Sequence, residues 1–563
     1  MAEQILIALS LIIGLAAILT ILGRMIKQPP IIAYILTGIL AGPLLFGLIL
    51  PEQASSQMIQ TFSHIGVAFL LFIVGLSLDL KVLKEVGAVS TVTGIGGIII
   101  TVLAGYFIAI GLGFQSIPAL YIAFAISFSS TVVVVKLLSD KREMDTLHAR
   151  IALGILIIQD FVAALALLIL PIMQDANVNT ILFQIGKIVG LVILIFLFAK
   201  IFVKRLLDYL ATNQEVLFLF GIAWALIIAS LFDYLGLSLE VGALIAGISI
   251  ASSKYTLELG GKIKPLRDFF VILFFIFFGS QLTEPITSSV LKSAVIISAF
   301  VLIGKPLITM TFMRIFGYKK RTNFLTGSSL AQISEFSLIL ILLGFGLGHL
   351  SKEVMSLAIL VALITITISS YGIHHSTGIF NRISFILNPF EGKREEIETK
   401  PKFPAEIVLF GYNRTGYSLV NTFKKLGYKF IVVDYNPRVI SNLLKRGINA
   451  VYGDASDEEF VKELRLARAR LVVSTIQDVG SNIVIKDRLS EVNSKALFIA
   501  TAEHGSEAKR LYQSGIDYVL LPHMLGGEYA SKLIEKFKTS PNRYQELKKK
   551  QLKEIKIREK EQG

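Results

Sequence analysis

The sequence predicts a polytopic α-helical membrane domain built on an inverted repeat, followed by a C-terminal α/β domain of Rossmann-like type. Three observations predict it. Apolar runs of spanning length begin near Gln4, Ile31, Phe62, Gly87, Ile117, Ala149, Ile181, Glu215, Ser238, Leu266, Val290, Asn323 and Val354, which makes about thirteen helices with the ninth short. Two motifs of the first half recur in the second at an offset of about 205 residues. Beyond about residue 375 charge accumulates, and short β-branched runs alternate with helical stretches.

With 563 residues, 54% of them hydrophobic, the chain is too apolar for one soluble globule and divides into a membrane part and a soluble part. The net charge of +14 is not a nucleic-acid signature. Much of it lies in short loops and in a Lys/Glu-rich tail from Lys548 to Lys560, where anchoring to the inner leaflet of a lipid bilayer explains the loop charges. The absence of cysteine excludes disulfides, thiolate metal sites and redox thiols. The first apolar run precedes Arg24 and Lys27, the reverse of a secretory signal's charge order, and reads as a retained helix.

Alternate loops carry unequal charge. One set includes Arg24, Lys27, Lys136, Lys141, Arg142, Lys204, Arg205, Lys262, Lys264, Arg267, Lys319, Lys320 and Arg321, whereas the other holds little beyond Lys292 and Lys352. The basic set belongs in the cytoplasm. This puts the N-terminus outside and the soluble domain inside, in a multi-pass protein of the cell (inner) membrane.

The repeated motifs are Ile39-Leu-Ala-Gly42 with Leu244-Ile-Ala-Gly247, and the stretch ending at Gly75-Leu-Ser-Leu78 with that ending at Gly279-Ser-Gln-Leu282. The offset spans seven helices, an odd number, so the second copy crosses the membrane upside down, as in secondary transporters. The same offset sets Ser129-Ser130-Thr131 opposite Ile333-Ser334-Glu335. Each is a polar interruption in an apolar span, where unwound backbone can coordinate a cation.

Asp160 lies within an apolar segment, and an acid at that depth costs about 3 kcal/mol or more and marks ion or proton paths. A single carboxylate that holds a proton in one state and a cation in another makes an exchanger. Neighbouring Gln159 supplies an oxygen without a second charge, which favours one proton for one monovalent cation bound at Asp160. Divalent and transition ions would need more ligands than this core offers. Lys305 is the base deep in an apolar run, and it is followed by Pro306, which frees a carbonyl. It reads as charge compensation, paired with Asp160 or standing as a fixed counter-charge. Glu335 reads as compensation for backbone dipoles at the second interruption. Glu240 and His64 lie nearer segment ends and receive no role.

The stretch from Gln28-Pro-Pro to Gly42-Pro43, with Ser129-Ser-Thr131, Gln159-Asp160, Pro265-Leu-Arg-Asp268-Phe-Phe and Leu330-Ala-Gln-Ile-Ser-Glu335-Phe, resembles the Kef-type branch of the monovalent cation:proton antiporters over nearly all of residues 1 to 375. The resemblance implies the antiporter fold and a homodimer whose ion-carrying core moves in an elevator fashion. It leaves room for an ancillary regulatory subunit as a further partner. Gln159-Asp160 is similar to the pair in potassium-selective members, where many sodium-linked relatives carry Asp-Asp or Asn-Asp, and so points to K⁺ over Na⁺.

After a polar linker, roughly His374 to Pro404, Glu406–Phe410 reads as a strand, Gly411-Tyr-Asn-Arg-Thr-Gly416 as a turn into a helix, and Phe430–Asp434 as a second strand whose terminal acid can take an adenosine ribose. Strands at Leu471–Ser474, Ala496–Ala500 and Tyr518–Leu521 complete a doubly wound sheet. Asn413 replaces the second glycine of the dinucleotide fingerprint. This places NAD(H) in doubt and leaves AMP, ADP or ATP equally open as regulatory ligand. Residues 404 to about 536 resemble regulator-of-K⁺-conductance (RCK/KTN) domains, including Val451-Tyr-Gly453-Asp454. The resemblance implies nucleotide contacts at Gly411, Arg414, Asp434 and Asp454, within a candidate site that also includes Asn413, Thr415 and Gly416. No acid/base or nucleophile constellation accompanies this domain, which argues against a nucleotide-dependent enzyme. A nucleotide-gated K⁺ channel would need a carbonyl filter resembling Thr-Val-Gly-Tyr-Gly, which the sequence lacks. The tail from residue 537 reads as a solvated charged helix.

Overall fold

The computed structural model describes residues 2–50, 54–77, 87–141, 143–144, 146–170, 178–203, 206–207, 213–253, 255–392, 405–412, 415–434, 437–453, 455, 458–464 and 466–562. The chain forms two compact units, residues 1–393 and 394–563.

The first unit is all helical: α1 (Ala2–Met25), α2 (Pro30–Ala41), α3 (Ala54–Ser77), α4 (Gly87–Gly111), α5 (Ser116–Ser127), α6 (Thr131–Asp140), α7 (Leu147–Ile169), α8 (Val178–Phe198), α9 (Gln214–Tyr234), α10 (Leu239–Ile250), α11 (Thr256–Ser280), α12 (Ser288–Ala299), α13 (Lys305–Ile315), α14 (Lys320–Ser329), α15 (Glu335–Gly346), α16 (Lys352–His374) and α17 (Ser376–Ile383). Among the described residues, nine helical spans are long and apolar enough to cross a membrane, and the shorter α2, α10 and α15 are also apolar. Lys262, Lys264 and Arg267, read above as loop charges, lie in the first half of α11, which continues through Pro265. The helix is polar in that half and apolar beyond Asp268.

The repeated motifs of the sequence meet in space. A Cβ on Gly38 would collide with the Ile276 carbonyl and one on Gly279 with the Ile35 carbonyl, so α2 and α11 touch backbone to backbone. In the same way Gly75 and Gly247 bring α3 against α10, with the Leu244 and Phe72 carbonyls in the space a side chain would need. Small residues permit such close packing where lipid leaves little hydrophobic drive between helices. Each contact joins one copy of the repeat to the other, and the four helices form one block. Helices α4 to α7 and α12 to α16 pack largely among themselves around buried residues such as Tyr121, Phe128, Val301 and Met355.

Two interruptions break the second group. Helix α5 stops at Ser127 and α6 resumes at Thr131, while α14 stops at Ser329 and α15 resumes at Glu335. Between α12 and α13 the chain instead widens into a π turn, Phe300–Gly304, immediately ahead of Lys305 and Pro306. Pro306 has no N–H to return to the preceding turn, and the wider turn accommodates that loss.

The stretch read as a polar linker begins as folded structure. Phe380 and Leu387 pack with Met310 and Phe390, and the chain then docks on the turn between α13 and α14. There Asn323 Nδ2 donates to the carbonyls of Tyr318 (2.8 Å) and Phe390 (2.9 Å), Lys320 Nζ to Asn388 Oδ1 (2.9 Å), and the Gly392 amide to Tyr318 O (3.1 Å).

The second unit is an α/β domain with β1 (Ile407–Phe410), α18 (Thr415–Lys425), β2 (Phe430–Asp434), α19 (Pro437–Lys445), β3 (Ala450–Tyr452), α20 (Glu458–Glu463), β4 (Leu471–Ser474), α21 (Val479–Val492), β5 (Leu497–Thr501), α22 (Gly505–Gln513) and β6 (Tyr518–Leu520). All strands are parallel in the order β3-β2-β1-β4-β5-β6, the doubly wound arrangement the sequence predicts. Strands β1 and β2 are apolar nearly throughout because helices cover both faces of such a sheet. Helices α23 (Pro522–Phe537) and α24 (Pro541–Gln562) follow, and where α24's exposure is described it is largely solvent-facing.

Candidate functional site

The two helix interruptions cross. Ser129 Oγ, in the first, donates to the Leu330 carbonyl of the second (3.0 Å), and Ser130 Oγ donates to Glu335 Oε1 (3.0 Å). The residues paired by the repeat offset are thus in direct contact. Ser130 and Ser334 cap the resuming helices α6 and α15, since Ser130 Oγ accepts from the Val133 amide (3.1 Å) and Ser334 Oγ from the Phe336 amide (3.2 Å). Hydroxyls at those positions let the backbone leave and re-enter the helix with its amides satisfied.

The crossing sorts the helix ends by polarity. The N-termini of α6 and α15 both face the Glu335 carboxylate, which accepts from Ser130 and from Ser334 (3.3 Å). The C-terminal carbonyls that the breaks leave free are gathered by one ammonium. Lys305 Nζ donates to Phe128 O (2.8 Å), Gln332 O (3.1 Å) and Ile126 O (3.3 Å), and the residue is 3% exposed. A negative group at two helix N-termini and a positive one at two C-termini is the favourable arrangement for their dipoles. Of the two arrangements the sequence left open for Lys305, the hydrogen bonds it makes here go to these helix-end carbonyls. Thr131, not Lys305, holds the carboxylate of Asp160, its hydroxyl donating to Oδ2 (2.9 Å).

Asp160 and Gln159 occupy consecutive positions in α7. The Asp160 side chain is partly accessible at Thr131, whereas Gln159 is buried and its Oε1 accepts from the Ser129 amide (3.0 Å). The side-chain carbonyl of Gln159 therefore fastens the unwound backbone at Ser129. Ser337 Oγ adds a further tie between the breaks by donating to the Ala125 carbonyl. All seven residues proposed from sequence for the membrane site, Ser129, Ser130, Thr131, Gln159, Asp160, Lys305 and Glu335, are in this one network. Sequence reasoning missed the bridging carbonyls of Ile126, Phe128, Leu330 and Gln332, which backbone chemistry hides from a residue-type search.

In the α/β domain Gly411 has φ +85°, a left-handed conformation suited to glycine, and its amide donates to Val433 O (2.8 Å). A Cβ on Gly416 would collide with the Gly411 carbonyl, so the turn folds directly onto the start of α18. Asp434, at the end of β2, is buried and accepts from the Tyr412 amide through Oδ2 (2.9 Å), which fixes the turn against the strand end. Thr475 Oγ1 donates to Gly411 O (3.1 Å) from the neighbouring strand end. Thr415 is exposed as the first residue of α18. Asn413, Arg414 and Asp454 lie outside the described residues.

Comparison with known proteins matches the two parts of the chain separately. Residues 11–375 match the sodium/hydrogen exchanger transmembrane family, and residues 407–522 match the TrkA-N domain. The chain is 29% identical over 555 residues to the putative cation/proton antiporter YbaL of Escherichia coli K12, covering 94% of this chain and 96% of that one. It is 26% identical over 541 residues to the glutathione-regulated potassium-efflux system protein KefC of the same organism, covering 92% and 83%. Its membrane part shares a fold with the sodium proton antiporter MjNhaP1 of Methanocaldococcus jannaschii, with TM-score 0.51 and 15% identity over 68% of this chain and all of that one. With the family match spanning most of the chain, the protein belongs to the sodium/hydrogen exchanger family of cation/proton antiporters, as a multi-pass membrane protein that carries a C-terminal TrkA-N domain.

Proposed function

We propose that this chain exchanges K⁺ for H⁺ one for one through Asp160, under control of an adenosine nucleotide held at the Gly411–Gly416 turn. The observation that carries the reading is the Asp160 carboxylate beside the crossing of two broken helices, tied to one of them by Thr131. Glu335 and Lys305 are each occupied by helix ends, so Asp160 is the group left to alternate between proton and cation. Gln159 adds no charge beside it, which keeps the exchange electroneutral and favours K⁺ in line with the Kef-type pair. The cycle is an elevator movement of α4–α7 and α12–α16 against the glycine-packed block, in a homodimer with both α/β domains in the cytoplasm. The test is cation-driven proton flux in proteoliposomes, with K⁺ and Na⁺ supplied separately.

Gln159→Asp is expected to keep the bond from the Ser129 amide while adding a second carboxylate. Exchange should then become sensitive to an imposed membrane potential, and Na⁺ should gain on K⁺ by about tenfold, the effect of roughly 1.4 kcal/mol of altered ion preference. Flux ratios measured with and without a valinomycin-set potential check this, and unchanged selectivity with voltage-independent exchange would reduce Gln159 to its backbone role.

The regulatory half rests on Asp434 and on the docked linker. Asp434, which accepts from the Tyr412 amide at the turn, is the proposed ribose acceptor, and the chain leaving the membrane unit is fastened to the start of α14, one of the broken helices. A ligand shifts such a balance only by its differential affinity for two states. Asp434→Ala is expected to weaken nucleotide binding at least about tenfold, through loss of charge-assisted hydrogen bonds, and to change basal transport while leaving the cation KM alone. Calorimetric titration of the full chain with AMP, ATP, NAD⁺ and NADH identifies the ligand, and a wild-type protein that binds none of them would end the regulatory reading.

A further inference from the structure

A vestibule of about 880 Å³ opens where α9 ends, α3 and α10 begin and α15 ends. It lies at the face of the membrane unit opposite the C-terminal end of α16, from which the chain continues to the α/β domain. Its two walls differ in chemistry. Polar side chains come from α3, the end of α9 and the start of α10, namely His64, Asp233, Ser238 and Glu240, and the facing side contributes Leu167, Leu342, Leu343 and Leu347. No lysine or arginine lines it among the described residues.

Glu240, in the first turn of α10, is buried, with Oε2 accepting from Ser238 Oγ (2.6 Å) and Oε1 lying 3.5 Å from His64 Nδ1. His64 itself is partly open to the cavity, its side chain 42% exposed. Asp233, on the last turn of α9, is exposed on the same wall. A cleft with low-dielectric walls and one sign of charge concentrates counter-ions at its mouth.

We propose that Glu240 collects the transported monovalent cation at this mouth, and that His64 sets how much of its charge is felt. The proposal rests on the exchange reading above, with Asp160 as carrier, and is independent of which cation is carried. With a neutral imidazole the pair holds one negative charge, and with an imidazolium it holds none. The other titratable or charged groups around the pair are Asp233 from α9, His349 from the turn after α15, and Lys187 from α8, whose ammonium is held by the Leu235 carbonyl at the end of α9, while α7 and α15 present apolar side chains. His349 Nδ1 meets the Tyr121 hydroxyl (2.8 Å), and burial lowers the pKa of that imidazole from its usual range.

The experiment uses full-length protein in proteoliposomes whose orientation is read by protease access to the α/β domain. Apparent KM is measured for K⁺ and for Na⁺ supplied on each side in turn. Glu240→Gln should raise KM about three- to tenfold for cation supplied on the vestibule side, with kcat and the opposite-side KM unchanged, and the difference should shrink in high salt. Glu240→Asp should restore most of the effect. His64→Gln should reduce the dependence of that KM on vestibule-side pH, which in the wild type rises as the pH falls, to the slope that proton competition at Asp160 alone leaves in Glu240→Gln. An unchanged KM, or one shifted equally from both sides, overturns the proposal. So does a pH dependence that His64→Gln leaves intact. If Glu240→Gln does not fold, exposed Asp233→Asn should give a smaller shift of the same sign and side, and its absence also overturns the proposal. Failure of the exchange reading is seen separately, as cation-driven proton flux that survives Asp160→Asn.

Discussion

Asp160→Asn is expected to reduce cation-driven proton flux by about a hundredfold or more, the scale lost when a positioned proton carrier is removed. The carboxamide has nearly the same volume and can still accept from the Thr131 hydroxyl, so the local geometry has no reason to change. What disappears is the ability to take up a proton or to balance a cation. Removing a charge from an apolar setting does not itself destabilise a fold, and the variant should elute as wild type and unfold at the same or a higher temperature. The measurement is proton flux in response to an imposed K⁺ gradient, alongside the thermal midpoint in the same detergent. Persistent flux at the wild-type rate would remove Asp160 from the centre of the cycle.

Lys305→Ala is expected to have the largest effect on stability, about 3–5 kcal/mol, as for loss of one partner from a buried charged network. Three carbonyls lose their donor at once, and two helix C-termini lose the charge that faces them. A lysine paired with Asp160 would instead show itself in the pH profile of transport, with folding little altered. The two outcomes separate cleanly. A thermal midpoint lowered by several degrees supports the carbonyl role. An unaltered midpoint with a displaced pH profile would restore the pairing with Asp160.

The sequence made the helix breaks visible because Ser129-Ser130-Thr131 and Ser334-Glu335 are polar in spans that are otherwise apolar, and the repeat offset matched them before any contact was known. Gly75, Gly247 and Gly279 were legible for a related reason, since a motif repeated with its glycine intact marks a place without room for a Cβ. The partners of Lys305 were not legible. They are backbone carbonyls, and every residue has one. The contact between His64 and Glu240 was hidden differently, because neither residue has a charged neighbour in its own segment and only the packing of α3 on α10 joins them. Ser238, two residues before Glu240 at the start of an apolar run, was the available local sign of a capped helix end with an acid in its first turn. In the α/β domain strand patterning and Asp434 identified the turn, and the bond from the Tyr412 amide adds that the acid also shapes the turn itself.

The glycine contacts between the two repeats carry a consequence for the order in which the protein is made. Helices α2 and α3 leave the ribosome about 200 residues before α10 and α11, the helices they must touch. At typical synthesis rates of roughly 5–20 residues per second, the early pair waits about 10–40 s in the bilayer with its grooves occupied only by lipid. The first copy of the repeat is thus inserted long before it is assembled. Its completion is a late event, set by the arrival of Gly247 and Gly279, and a chain arrested between the two copies would present unfilled helix faces to the membrane's quality-control proteases.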